Sequence, residues 1–420
     1  MASTFRYDSF ESTHQDDTLQ LQFYFSCGEH HFNPHLSIVG ITGEIVDSMG
    51  KERLDAWVFH LGLCEIASYW KAFCSPRIEI SCGYLDIDQI KFWQKLLYKG
   101  LGEFFFQNKI QPFAPEFGTK NEASKTTKNS HAFSNLQSVL VPVGGGKDSI
   151  VTLEILAEAG YDISTFSGHK GASKDVIGIF AKLHSLSQDI VFTRALDPHL
   201  SELNAQGYPN GHTPFSSVLA FLTSFTAELL SIPYIAVSNE GSADEPTAIW
   251  NGIDVNHQYS KSFEFEQDFR TYIKNNMPGA PEYFSFMRPL YEIQIVQLFI
   301  KYSEYFATFK SCNVGQKTNS WCGHCPKCVF VALMLSAFVD DETITSIFGY
   351  PILENEALIP IIDELVGISE FKPFECVGTR EESQVALYLA LQKRPTAPQL
   401  LEHYRSFVKA PSRDLLSLFR

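Results

Sequence analysis

Between Val139 and Ser149 the chain reads Val-Leu-Val-Pro-Val and then Gly144-Gly145-Gly146-Lys147-Asp148-Ser149. A short apolar strand runs into three glycines, and an apolar-periodic helix (Ile150, Leu153, Leu156) leaves them and closes at Gly160. Glycine lets backbone approach a ligand closely, and a helix start offers unpaired N–H groups at the positive end of its dipole. Lys147 adds a cation and Asp148 a carboxylate of the kind that ligates magnesium. A junction of this kind points to an α/β fold that holds a nucleotide by its phosphates. The plain alternative is a glycine-rich turn with no ligand.

Two commoner phosphate motifs are excluded. A Walker loop needs glycine at Val141 and Ser or Thr at Asp148, and GxGxxG needs glycine at Ser149. Around the loop, apolar runs predict strands at 138–143, 161–167, 189–194 and 233–238, and helices at 147–159, 172–185 and 214–231. That alternation predicts a parallel sheet with right-handed crossovers. Ligands bind beyond the carboxyl ends of such strands, where Gly144–Ser149, Phe166–Lys170 and Asn239–Asp244 would converge. The whole chain then divides into a flexible leader (1–20), an α+β region (21–116), a Lys/Asn/Ser/Thr-rich linker (117–135), the phosphate-loop domain (136–310) and a cysteine-bearing helical region (311–420).

In the α+β region a buried helix is expected over Trp57–Phe73, a strand over Arg77–Cys82 and a helix over Asp86–Tyr98. A net charge of −15 argues against a broad nucleic-acid or anionic-membrane footprint, though a local cation cluster can still take a small anion. Asp8 and Glu11 break any signal-peptide pattern, and no run of 18 apolar residues occurs, so a cytoplasmic protein that does not span a membrane is expected. Nine cysteines, an odd number, suit a reducing compartment. Nothing in the sequence sets the oligomeric state.

Cys312, Cys322, Cys325 and Cys328 lie in SCNVGQKTNSWCGHCPKC, a four-thiolate spacing that suits a closed tetrahedral zinc site of structural type. An iron–sulfur cluster and a metal-free thiol group are the alternatives. Two polar segments stand out besides. In Asn210–Ser216, Thr213 reads as a helix N-cap with Pro214 at the first helical position. In Val255–Glu264, an extended backbone would put His257, Tyr259 and Lys261 on one face, whereas a helix would pair only His257 with Lys261. The bland reading of that segment is a solvated strand end.

The loop resembles the SGGxDS loop of the PP-loop ATP pyrophosphatases, with Gly144 where serine is usual. Taken with the Cys-x9-Cys-x2-Cys-x2-Cys pattern, it is similar to the 7-cyano-7-deazaguanine synthase branch, whose members are about half as long. The longer phrases HLGLCEIASYWKAFCSP, GLGEFFF, NGHTPFSS, VNHQYSKSFEFE and WCGHCPKC resemble the ATP-dependent UDP-N-acetyl-muramoyl-L-alanyl-L-glutamate epimerases of bacterial cell-wall synthesis, over about residues 20–350. The resemblance implies an adenine nucleotide alpha hydrolase-like domain, ATP and Mg2+ as cofactors, and structural Zn2+ on the four cysteines. It implies a UDP-muramoyl dipeptide substrate whose terminal L-glutamate is inverted through an acyl-adenylate, with AMP and diphosphate released. Gly144, Gly145, Gly146, Lys147, Asp148 and Ser149 would hold the phosphates. The candidates for proton transfer are His257 and Tyr259, with Lys261 sharing the proton or stabilising an enolate-like intermediate. Arg194, His212 and Arg288 are candidates for the substrate's anionic groups. The rival readings are an amidating or thiolating PP-loop enzyme and a non-catalytic nucleotide sensor.

Overall fold

The computed structural model describes residues 4–120 and 133–419. Most of the expected linker, residues 121–132, lies outside the described residues; its first three, 117–119, belong to the strand Glu116–Thr119. The chain forms two compact units. The first comprises Met1–Leu140, Gln188–Ile235 and Trp250–Phe284, and the second Val141–Ser187, Ala236–Ile249 and Ser285–Arg420.

In the first unit the strands run in the order Gln188–Ala195, His35–Val39, Thr18–Cys27, Phe5–Gln15, Arg77–Ile80, Glu116–Thr119. The first three pairings are antiparallel and the last two parallel. The expectation of a flexible leader over 1–20 is corrected here. Phe5 and Tyr7 face the core while Arg6 is exposed, so a segment that reads as polar is a half-buried strand. Asp16 and Asp17 close its hairpin with φ of 50° and 54°, the positive pair that a two-residue turn of matching twist requires. Gln188–Ala195 was also expected in a parallel set; its pairing with His35–Val39 is antiparallel.

The helix Lys51–Trp70 is buried on almost every side from Arg53 onward, as its apolar sequence demands. Charges buried there need partners. Arg53 Nε meets Glu228 at 2.7 Å, where Trp57 Nε1 also donates, and Glu65 meets Arg194 at 2.6 Å. The helix Ile87–Gly100 begins on an Asp86–Gln89 capping box.

In the second unit Val141 and Pro142, the end of the strand Ser138–Pro142, lead into the glycine loop and the helix Lys147–Glu158, then Asp162–Ser167 and the helix Ala172–Leu183. Each lies within two residues of its expected bounds. Tyr234–Val237, Ser138–Pro142 and Asp162–Ser167 lie side by side in that order, the first two parallel. The fold is therefore mixed α/β. The C-terminal part is helical, with Pro326–Ser336 buried along almost its whole length. No helix among the described residues is long and apolar enough to cross a membrane.

Candidate functional site

The glycine loop lies wholly in the second unit. Gly145 has φ of 89°, and a Cβ there would come within 2.6 Å of Ala172 and Ser173, so the loop is packed against the start of the next helix. Its carbonyl accepts from Lys310 N at 3.0 Å. Gly146 caps the helix Lys147–Glu158 without any side-chain hydrogen bond, which leaves the first turn to an external acceptor. Gly144 is exposed, with open space where a Cβ would stand.

Lys147 is buried, and its ammonium donates to the carboxylates of Asp148 and Glu292. Burial lowers its pKa, but the two carboxylates outweigh that and raise it, so it stays charged. Glu292 is pushed up to about 7, by burial first and then by the charges of Asp148 and Glu240, against the pull of Lys147 and Lys327. Burial is the largest of these influences, so the pull of the two lysines does not bring the acid down. Asp148 keeps a quarter of its side chain accessible. Ser149 Oγ donates to Gly146 O at 3.0 Å, inside the loop. Arg288 is held by Glu240 O at 2.7 Å and Ser285 Oγ at 3.2 Å.

The four cysteines also lie in the second unit and converge. Sγ separations are 3.9 Å for Cys312–Cys325, 3.8 Å for Cys322–Cys328 and 3.5 Å for Cys325–Cys328. A tetrahedron with metal–sulfur bonds of about 2.3 Å has edges of about 3.8 Å, so the set fits a metal ion such as zinc. Backbone N–H groups of Gly315 and Cys322 point at Cys312 Sγ from 3.1 and 3.3 Å, as thiolate ligands favour. His324 is exposed and turned to Cys322 O.

In the first unit the segment Asn256–Lys261 is a turn followed by a 3-10 helix, not an extended run. Its three candidates therefore do not share one face. His257 Nδ1 bonds Glu103 Oε2, and the same oxygen lies 3.4 Å from His212 Nδ1. Lys261 bears on this group as well: its charge, with burial first and then His257 and Lys71, lowers His212 to about 3. Tyr259 packs against Phe265 and lies 5.8 Å beneath Lys99 Nζ. Burial, then Glu264 and Asp268, raise its pKa far above neutrality, so the phenol can donate a proton but not abstract one. Thr213 is not the helix cap. Pro214 holds that position, and Thr213 Oγ1 accepts from the buried Lys71 at 2.8 Å. Arg194 is fixed by two 2.6 Å bonds to Glu65 and a third to Ser68. These bonds tie it to the helix Lys51–Trp70.

Glu103, Lys71 and Glu292 join these polar groups, and sequence reasoning passes over them. Glu103 has a readable signal: one carboxylate inside GLGEFFF, where an acid among phenylalanines must find a partner. Glu103, His212 and His257 bring their ligand atoms within 4.8 Å of one another, as the four cysteines do. Lys71 and Lys261 add positive charge beside the three-residue group, which disfavours a cation there.

The MurL N-terminal domain profile matches residues 1–286, and the MurL C-terminal domain profile matches residues 308–412. Three curated relatives carry the name UDP-N-acetyl-alpha-D-muramoyl-L-alanyl-L-glutamate epimerase. The Micromonospora sp. protein is 36% identical over 330 residues, 78% of this chain and 72% of its own. The Salinispora tropica protein is 36% identical over 77% of this chain and 70% of its own, and the Xanthomonas oryzae pv. oryzae protein 35% over 76% and 71%. No solved structure matches the chain at a significant level.

Proposed function

From the premise that this chain belongs to the MurL family, we propose that it inverts the terminal L-glutamate of UDP-N-acetylmuramoyl-L-alanyl-L-glutamate, for peptidoglycan synthesis, at the expense of ATP. The observation that carries the ATP dependence is the uncapped helix start behind Gly144-Gly145-Gly146. Backbone N–H groups there receive the β- and γ-phosphates, and Asp148 ligates the Mg2+ that offsets the charge of the departing diphosphate. Lys147 sets the charge of the loop from beneath and does not grip phosphate itself.

The chemistry needs activation. An ionised carboxylate resists loss of its α-proton, because a second negative charge would build on the same atoms. Attack of the glutamate carboxylate oxygen on the α-phosphorus expels diphosphate and removes that first charge. A general base then takes the α-proton, with the electron pair passing into the acyl group, and a donor returns a proton to the other face. Lys261 supplies positive charge to the enolate-like state. Water finally releases AMP and restores the carboxylate. The four cysteines hold structural Zn2+, apart from the reaction.

The test is incubation with ATP, Mg2+ and the UDP-muramoyl dipeptide in heavy water. AMP and diphosphate should form only with the dipeptide, with deuterium at the glutamate α-carbon and D-glutamate on chiral analysis. Dipeptide-dependent ATP cleavage without α-deuterium would reject inversion in favour of an amidating or thiolating enzyme.

A further inference from the structure

Resting on that epimerase reading, we propose that His212 and His257 are the two proton-transfer groups of the inversion, one for each face of the α-carbon, with Glu103 the positioning residue that anchors both rings. Three separate stretches of the first unit are pinned to build this group. Glu103 sits on the short helix Gly102–Asn108, immediately before the buried Phe104 and Phe105. His212 lies in a segment tied down by Asn108 Nδ2 to Asn210 O at 2.8 Å and by Lys71 to Gly211 O and Thr213 Oγ1. His257 begins the turn before the 3-10 helix Tyr259–Lys261. The two rings turn Nδ1 toward one carboxylate oxygen, with centroids 4.6 Å apart and planes at 50°. Two imidazoles thus spread from a single anchor, and 18% and 14% of their side-chain surfaces stay open.

Inversion in one direction needs a neutral base and a protonated acid together. The arrangement is asymmetric in that sense. His257 makes the direct bond to Glu103, whereas His212 stands 3.4 Å off, with burial, His257, Lys71 and Lys261 all opposing a charge on it. His212 therefore takes the α-proton at Nε2, leaving the C–H electron pair in the activated acyl group. His257 gives its Nε2 proton to the opposite face. After one turnover the two rings have exchanged protonation states, and solvent resets them.

The experiment uses the full chain with ATP, Mg2+ and the L-dipeptide in heavy water, comparing His212→Gln and His257→Gln. Each should slow inversion by about 10²–10⁴-fold. Pyrophosphate–ATP exchange, which reads adenylation alone, should continue in both and report an intact fold. One variant, His257→Gln, should still place deuterium at the α-carbon of L-glutamate without inverting it; His212→Gln should not. Glu103→Gln should shift the alkaline limb of the kcat–pH profile, set by the proton on His257, to lower pH, an effect a merely structural role would not produce. Equal loss of exchange in both histidine variants, undiminished inversion in either, or a transition metal beyond that held by the cysteines and lost on His212→Gln would overturn the proposal. No inversion by the unmodified protein would overturn it together with the epimerase reading; inversion that survives in these variants would sink this proposal alone.

Discussion

Replacing Gly145 by alanine probes the loop geometry most directly. The new methyl would lie 2.6 Å from Ala172 C, Ala172 Cβ and Ser173 N, and φ at this position is 89°. Two of those atoms are backbone at the start of the helix Ala172–Leu183, so no flexible side chain can swing aside. Left-handed backbone costs an L-residue about 1–2 kcal/mol. Forcing a methyl into filled space costs about 1–3 kcal/mol more, for a total of about 2–5 kcal/mol. Gly144, one residue earlier, is exposed, has nothing within 4 Å of its would-be Cβ and lacks a positive φ. Gly144→Ser should therefore stay within about 0.5 kcal/mol of the native protein. Urea unfolding followed by circular dichroism measures both, and calorimetric titration with ATP should show binding kept by Gly144→Ser and lost by Gly145→Ala. A Gly145→Ala protein within 0.5 kcal/mol of native, or a Gly144→Ser protein equally damaged, would refute the reasoning.

Three further outcomes are expected. Elemental analysis should find one zinc per chain, and Cys325→Ala should abolish it and expose the helix Pro326–Ser336 to hydrogen exchange. Glu228→Ala strands the buried Arg53 and should cost about 3–5 kcal/mol in urea unfolding, far more than removing a surface pair such as Lys51–Asp55. His212, held to about 3 in the fold against 6.5 when free, resists a proton that the unfolded chain accepts. Its contribution is complete above about pH 6.5 and declines as pH falls toward 3, by at most about 1.4 kcal/mol per pH unit. Comparing stability at pH 7 and pH 5 should show that slope flattened in His212→Gln.

What the sequence discloses is whatever a local pattern encodes. Three glycines after an apolar run, and four cysteines at ligand spacing, announce themselves because their chemistry requires neighbours in the chain. The helix Lys51–Trp70 is equally legible, being apolar almost throughout. The strand Phe5–Gln15 is not, because past Tyr7 its side chains are mostly exposed or half-buried and polar. The antiparallel setting of Gln188–Ala195 depends on His35–Val39, about 150 positions earlier, which no window sees. Glu292 is hidden for the same reason: its partner Lys147 lies 145 positions away. Tyr259 misled by alternation, since a 3-10 turn replaces the extended backbone that would have aligned it with His257.

That separation along the chain bears on how the protein is made. At roughly 5–20 residues per second, a ribosome that has released Lys147 needs about 7–30 s to deliver Glu292. For that interval the ammonium has no counter-ion from the later segment, and Lys310, whose amide bonds the loop, comes later still. The nascent glycine loop is therefore born unfinished, and a chain that stops before residue 310 lacks the amide that bonds Gly145 O.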